Sequence, residues 1–364
     1  MGIIISFCIT VYNQSDLVKK CIESIIPYKG KNIEIIISDD RSTEDVRSLV
    51  ENYHDERIKY FLNEENLGHD RNILSAISRA SGKYAFLMRT RDMIIPSAIP
   101  TLIECARSDN FSYISGGALN EEGKIKIQYT KDYYKCGEEA VEANYKLFIH
   151  PSGNMYRVAD IRIDELRSFL AEESVSKSGF IVHSLIRLKL ATTGDFKLIQ
   201  EPAWIYTDTE NAKDRAVNHS QNGIGVYAPV LIENRYQCEM KWARKILPTD
   251  IYIKAYYLAT ALYLDLVTWG FKITNSDKRV QRHYDYKKMK FSVSDERRKF
   301  RTISESFYDK QLGIDREQFM KELDKIFWRN RTQDALKYIV RASVNGTPLY
   351  HAASRIYKKY IKKL

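Results

Sequence analysis

The first 96 residues alternate apolar runs with amphipathic stretches so regularly that few folds can hold them. Ile3–Val11 is a β-branched apolar run with the length of a strand buried on both faces. Tyr12-Asn13-Gln14-Ser15-Asp16 then turns into a stretch with Leu17, Val18, Cys21, Ile22, Ile25 and Ile26 at helical spacing. Ile33–Ser38 is a second buried strand, ending in Asp39-Asp40-Arg41-Ser42-Thr43 and followed by a helix over 44–53. A third strand, Ile58–Leu62, leads through Asn63–Asn72 to a helix over 72–80, and Lys83–Leu87 is a fourth strand. Such alternation predicts an α/β, mainly parallel sheet flanked by helices, with right-handed crossovers. In such a sheet the ligand lies beyond the carboxyl ends of the strands, and Leu87–Pro96 sits at one of those ends.

A nicotinamide dinucleotide reading fails at the first turn, where Tyr12-Asn13-Gln14 offers no G-x-G-x-x-G for a pyrophosphate. Beyond about residue 225 the alternation stops and helical periodicity takes over, so we expect a first domain over 1–222 and a helical one over 223–364. Charge divides along similar lines. Residues 241–364 hold 28 Lys and Arg against 13 Asp and Glu, whereas residues 1–240 are net acidic. A basic tail of this kind suits an anionic membrane face, a nucleic acid or plain solvent. The Ile, Tyr and Leu set among lysines over 354–364 fit a bilayer surface, and no RNA-binding signature accompanies the charge. Ile251–Phe271 is the most apolar stretch, but Lys254 and Asp265 interrupt it, and we read it as a packed helix. The N-terminus reads as a core strand rather than a secretory signal, and five scattered cysteines read as reduced thiols, so a cytoplasmic location is expected.

Several motifs in fixed order carry a more specific resemblance. Thr10-Val11-Tyr12-Asn13, Asp39-Asp40-Arg41-Ser42-Thr43, Asn66-Leu67-Gly68 with Arg71-Asn72, and Met88-Arg89-Thr90-Arg91-Asp92 with Pro96 follow one another at matching spacing. The chain thereby resembles the family 2 glycosyltransferases of GT-A fold, strongly over residues 3–96, more weakly to about 215. The resemblance implies inverting transfer of a sugar from a nucleotide-sugar to a glycan or lipid-linked glycan hydroxyl at the cytoplasmic membrane face. Thr10, Val11 and Tyr12 would line the base and ribose, and Asp39 would accept a base imino N–H, which favours uridine or thymidine donors. Asp40 or Ser42 would cap the next helix. Asn13, Asp40 and Arg71 complete the implied donor set, with Arg215 and His219 as phosphate contacts on a later loop.

Departures from the family pattern are as informative. The two carboxylates that frame a divalent cation in the family fall on Arg89 and Arg91, and only Asp92 remains. Guanidinium groups repel Mg²⁺ or Mn²⁺. They can instead supply about the same charge to a departing diphosphate, which implies a transferase needing no metal and no cofactor. The alternative is that the arginines pair with acids such as Asp92 in a domain that binds without catalysing. Ser152-Gly153-Asn154 resembles the family's small-residue turn into a helix beside the acceptor, with Trp204 as a sugar-stacking candidate. The family's catalytic acid pair falls on Phe180-Ile181, leaving His183, Glu172 and Glu173 as candidate bases.

Overall fold

The computed structural model describes residues 2–108, 110–147, 150–172, 179–207, 217, 220–221, 224–283 and 293–342. Two compact units result, one of residues 1–211 with 234–256 and one of 212–233 with 257–364. The expected boundary between 222 and 223 lies outside the described residues, as does the basic segment 354–364.

The first unit runs β1 (Ile5–Val11), α1 (Ser15–Ile25), β2 (Ile33–Asp39), α2 (Val46–Glu51), β3 (Ile58–Leu62), α3 (His69–Ser78) and β4 (Tyr84–Arg89). It continues with β5 (Met93–Ile94), α4 (Ile99–Arg107), β6 (Phe111–Asn120), β7 (Ile125–Ile127), β8 (Tyr133–Tyr134) and α5 (Glu138–Lys146). Then come β9 (Asn154–Arg157), α6 (Ile163–Ala171), α7 (Val182–Leu190) and β10 (Asp195–Tyr206). The strands join in one sheet of order β3-β2-β1-β4-β9-β6-β10-β5, with β7 on β6 and β8 on β10. β1 lies at the centre of the parallel half, fully buried at Ile5, Phe7, Cys8, Ile9 and Val11, which is why its apolar run is unbroken. On α1 the helical spacing resolves into Val18, Cys21, Ile22 and Ile25 turned inward, the three aliphatic side chains each worth about 1.5–3 kcal/mol of burial.

Register decides where the loops gather. Val11 stands opposite Asp39, and Thr10 opposite Arg89, so β1, β2 and β4 end together. β9 runs antiparallel between β4 and β6, with Asn154 opposite Leu87, so its first residue meets those ends. β6 and β10 are parallel to each other, and Tyr206 closes β10 at the same edge. The small-residue turn at 152–154 thus opens a strand, β9, and not the helix the sequence suggested.

In the second unit β11 (Ser220–Gln221) pairs with β12 (Ile224–Gly225). The remaining elements are helices: α8 (Pro229–Ile246), α9 (Thr249–Ser276), α10 (Lys278–His283), α11 (Val293–Ser306) and α12 (Arg316–Ala342), of which α8 and α9 each contribute residues to both units. Within the second unit Phe300 packs on Phe327 with ring centres 5.3 Å apart, and Asp265 of α9 accepts from Asn330 of α12 at 2.6 Å. Among the described residues no helix is long and apolar enough to cross a membrane.

Candidate active site at the carboxyl edge of the sheet

The β1–α1 and β2–α2 loops are laced together. Asn13 and Gln14 take left-handed backbone (φ 58° and 64°). The Asn13 side-chain oxygen accepts from the Thr43 backbone N–H at 2.8 Å, and the Asn13 backbone N–H donates to Ser42 Oγ at 2.7 Å. Glu44 accepts from the Gln14 and Ser15 amides at 3.0 and 2.7 Å, which covers the first amides of α1. Asn13 is therefore a bracket between loops, since its acceptor is spent on Thr43. Val11 points into the core, whereas Thr10 is half-buried and Tyr12 is 52% exposed at the same strand end.

The two aspartates that end β2 take different tasks. Asp39 is buried and oriented by the Ser42 N–H at 2.8 Å on one oxygen and the Tyr60 hydroxyl at 2.6 Å on the other. Asp40 instead clamps the loop before α3, accepting from Leu67 N–H at 2.7 Å, Gly68 N–H at 2.9 Å and Asn63 Nδ2 at 3.0 Å. Burial raises its pKa against the pull of these three donors. Both Asp40 oxygens are thus engaged in holding this loop, and the cap of α2 is Asp45, through Ser48 N–H, rather than Asp40. Arg71 stands exposed on α3, as Arg41 does at the end of β2, neither with a side-chain partner among the described residues.

At the end of β4, Arg89 and Asp92 form a forked pair: Nε donates to Oδ2 at 2.8 Å and Nη2 to Oδ1 at 3.1 Å. Asp92 is fully buried and also accepts from Ser152 Oγ at 2.5 Å and Thr207 N–H at 3.1 Å, while Arg89 retains 26% exposure. Ser152 in turn accepts the Arg89 N–H at 2.8 Å. The Arg89 guanidinium also lies 5.7 Å from the Tyr206 ring centre, and Arg91 is half-buried beside it. Asp92, the one carboxylate left in this motif, thus has four donors and no outward face, and a cation would have to displace a guanidinium to reach it. The donor set does not fit a divalent ion. Of the two readings of these arginines, Arg89 follows the second, since its fork grips Asp92 rather than standing open to a diphosphate.

The acceptor-side candidates are packed into the protein. Trp204 is 1% exposed, donates Nε1–H to Gly116 O at 3.1 Å and stacks on His150 at 5.0 Å between ring centres. Gly153 (φ +82°) exists to let that indole approach, because a Cβ there would lie 2.2 Å from Trp204 Nε1. Asn154 is buried, accepts from the Tyr113 hydroxyl at 2.6 Å and donates to Pro151 O at 2.9 Å. These three shape the floor and offer no polar group to a sugar, whereas Ser152 positions Asp92.

Among the candidate bases, His183 is buried on α7, and desolvation pushes its pKa down to about 3 against the attraction of Asp70. An imidazole so weakly basic cannot take up a proton near neutrality. Glu172 lies at the end of α6 in an ion pair with Lys241. Glu173, Arg215 and His219 lie outside the described residues. Sequence reasoning passed over Tyr60, His150, Thr207 and the adjacent His69 and Asp70. Only the last two left a local sign, a titratable pair directly after Gly68.

The parallel-sheet edge thus carries a buried aspartate on β2 and a basic motif at the end of β4. Residues 6–161, less than half of the chain, match the family described as Glycosyl transferase family 2. Among the curated proteins, the chain is 32% identical over 130 residues to the GalNAc(5)-diNAcBac-PP-undecaprenol beta-1,3-glucosyltransferase of Campylobacter jejuni, covering 35% of this chain and 42% of that protein. It is 27% identical over 143 residues to the UDP-Glc:alpha-D-GlcNAc-diphosphoundecaprenol beta-1,3-glucosyltransferase WfgD of Escherichia coli, covering 37% of this chain and 56% of that one. The match thus spans about half the length of these relatives. Among solved structures, TarS 1-349 of S. aureus in complex with UDP-GlcNAc superposes with a TM-score of 0.54 at 13% identity, covering 98% of this chain and 92% of that chain. That likeness is one of fold.

Proposed function

We propose that the protein transfers a sugar, with inversion, from a uridine- or thymidine-type nucleotide-sugar to a glycan hydroxyl, and that it does so without a divalent metal. The observation that carries this is the motif at the end of β4, where Arg89 and Arg91 stand in place of two carboxylates and the one remaining carboxylate, Asp92, is buried and taken up by four donors. Arg89 keeps Nη1 outside the fork and part of its surface in solvent. Together with Arg91 it gives the motif a formal charge of +1 after Asp92 is counted, and Arg41 and Arg71 add fixed cations on the same edge. Cationic donors held in place before the reaction stabilise the charge that develops on a departing nucleoside diphosphate. In this reading Asp39, held by Ser42 and Tyr60, accepts from the base, and the exposed Tyr12 offers a stacking surface. The relatives named for undecaprenol-linked substrates support a lipid-linked glycan acceptor, and the basic residues of 241–364 suit peripheral binding at an anionic membrane face.

Calorimetry of the full chain with UDP, dTDP and UDP-glucose, in EDTA and then with Mn²⁺, tests this reading. Binding of at least one nucleotide in EDTA, unchanged by Mn²⁺, is expected. Absence of binding by all three overturns the transferase assignment. Binding or turnover that appears only with Mn²⁺ overturns the metal-free account. Binding with neither donor hydrolysis nor transfer marks a scaffold instead.

A further inference from the structure

His69 opens α3 directly after the Gly68 turn, at the same sheet edge as Asp39 and Arg89. Its Nδ1 lies 2.8 Å from Asp70 Oδ1. Asp70 is itself fixed, because both its oxygens accept the Ile181 N–H, at 3.2 and 3.0 Å, just before α7. The His69 ring lies against Phe180, ring centres 4.7 Å apart, and 24% of the side chain reaches solvent. Phe180 is held in turn by left-handed backbone (φ 56°) and by the Arg235 guanidinium 5.5 Å from its ring centre.

A carboxylate can only accept hydrogen bonds, so His69 Nδ1 carries a proton, and in the neutral ring the lone pair is then on Nε2. Burial pushes Asp70 upward, yet the His69 hydrogen bond, the charge of that ring when protonated and the Ile181 amide outweigh this and hold the carboxyl below its usual range. The charged and titratable groups near this cluster are Asp70 on the ring's own helix, His183 and Arg187 from α7 and Arg235 from α8. Of these only Asp70 favours the imidazolium that proton uptake would create, and it is the one bonded to the ring.

We infer that His69 is the general base of this site, with Asp70 as its positioning residue and the acceptor hydroxyl as its substrate group. The inference rests on the transferase reading above. In the step, the acceptor O–H gives its proton to His69 Nε2 while its oxygen forms the bond to the anomeric carbon. The bond from that carbon to the diphosphate oxygen breaks, and its electron pair leaves with the nucleoside diphosphate. The imidazolium then loses the proton to solvent.

The test uses His69→Asn in the full chain, whose side-chain amide still donates to Asp70 but has no basic nitrogen. With UDP-glucose as donor and a diphosphate-linked GlcNAc lipid or water as acceptor, kcat should fall about 10²- to 10⁴-fold. UDP affinity should stay within twofold, and the acid limb of the pH–rate profile should disappear. Asp70→Asn should move that limb while retaining UDP binding. Nitrogen-15 NMR, with the His69 signal assigned by its loss in His69→Asn, should show the Nδ1–H tautomer at pH 8. A kcat within threefold of wild type in His69→Asn, or an Nε2–H tautomer, overturns the inference. A wild-type protein that neither binds nor turns over nucleotide shows instead that the transferase reading has failed, and the tautomer still decides the state of His69.

Discussion

Gly153 shows how much a single residue can carry at this site. Its positive φ disfavours any L side chain, and a Cβ would meet the Trp204 indole, whose N–H is bonded to Gly116. Gly153→Ala should therefore cost about 2–4 kcal/mol in urea unfolding, from strain and from the displaced indole together. A loss below about 1 kcal/mol would mean that the turn relaxes freely. The sequence marked Gly153 as a small residue making room for a sugar. What it makes room for is Trp204, a residue 51 positions on, and no local pattern reports such a contact.

At the scale of elements, the joint between β2 and α3 is the most exacting. The spacing predicts a helix over 72–80, but α3 starts at His69, because Asp40 holds the Leu67 and Gly68 amides and so sets the entry of the chain. Asp40→Asn replaces an acceptor with a donor beside two backbone N–H groups and should destabilise the fold by about 1–3 kcal/mol. Hydrogen exchange at amides 67–72 should quicken by at least tenfold, with the amides of β1 unaffected. Equal exchange in variant and wild type would show that Gly68 alone positions the helix. β10 teaches a similar lesson. Its two apolar segments, Phe196–Ile199 and Pro202–Tyr206, belong to one strand whose register shifts between Ile199 and Trp204, where it passes β6.

Across the whole molecule, buried titratable groups tie stability to pH on the acid side. His183 has a native pKa of about 3 against an unfolded value near 6.5, so the unfolded chain binds more protons between those limits. Its contribution is complete above about pH 6.5 and is lost as pH falls toward 3, at about 1.4 kcal/mol per pH unit. Asp70 and Glu34 add to this fall at lower pH. Burial raises both, but His69 with Ile181, and Lys59 with Ser6 and Ser81, draw them down, so their stabilisation is lost as pH drops through the depressed values. Asp40, raised by burial, works in the opposite direction. Thermal unfolding should show a midpoint that drops steadily from pH 7 to 4.5, and His183→Gln should flatten that slope. An unchanged slope in the variant would remove His183 from the account.

The sequence by itself determined the alternating half-sheet, the helical character of the C-terminal part and the ordered motifs from Thr10 to Pro96, since each rests on periodicity or on residues close in the chain. The same closeness made the carboxylate-to-arginine exchange at 89 and 91 legible. Only the tertiary structure decided what those residues face. Asp92 receives Ser152 and Thr207 from 60 and 115 positions away, and Asp70 receives the Ile181 amide from 111 away. Hydrogen bonds of that range follow from strand order and register, above all the reversed β9 between β4 and β6. That is why the sequence could locate the site at the strand ends, while the partners of its charges came only from the folded chain.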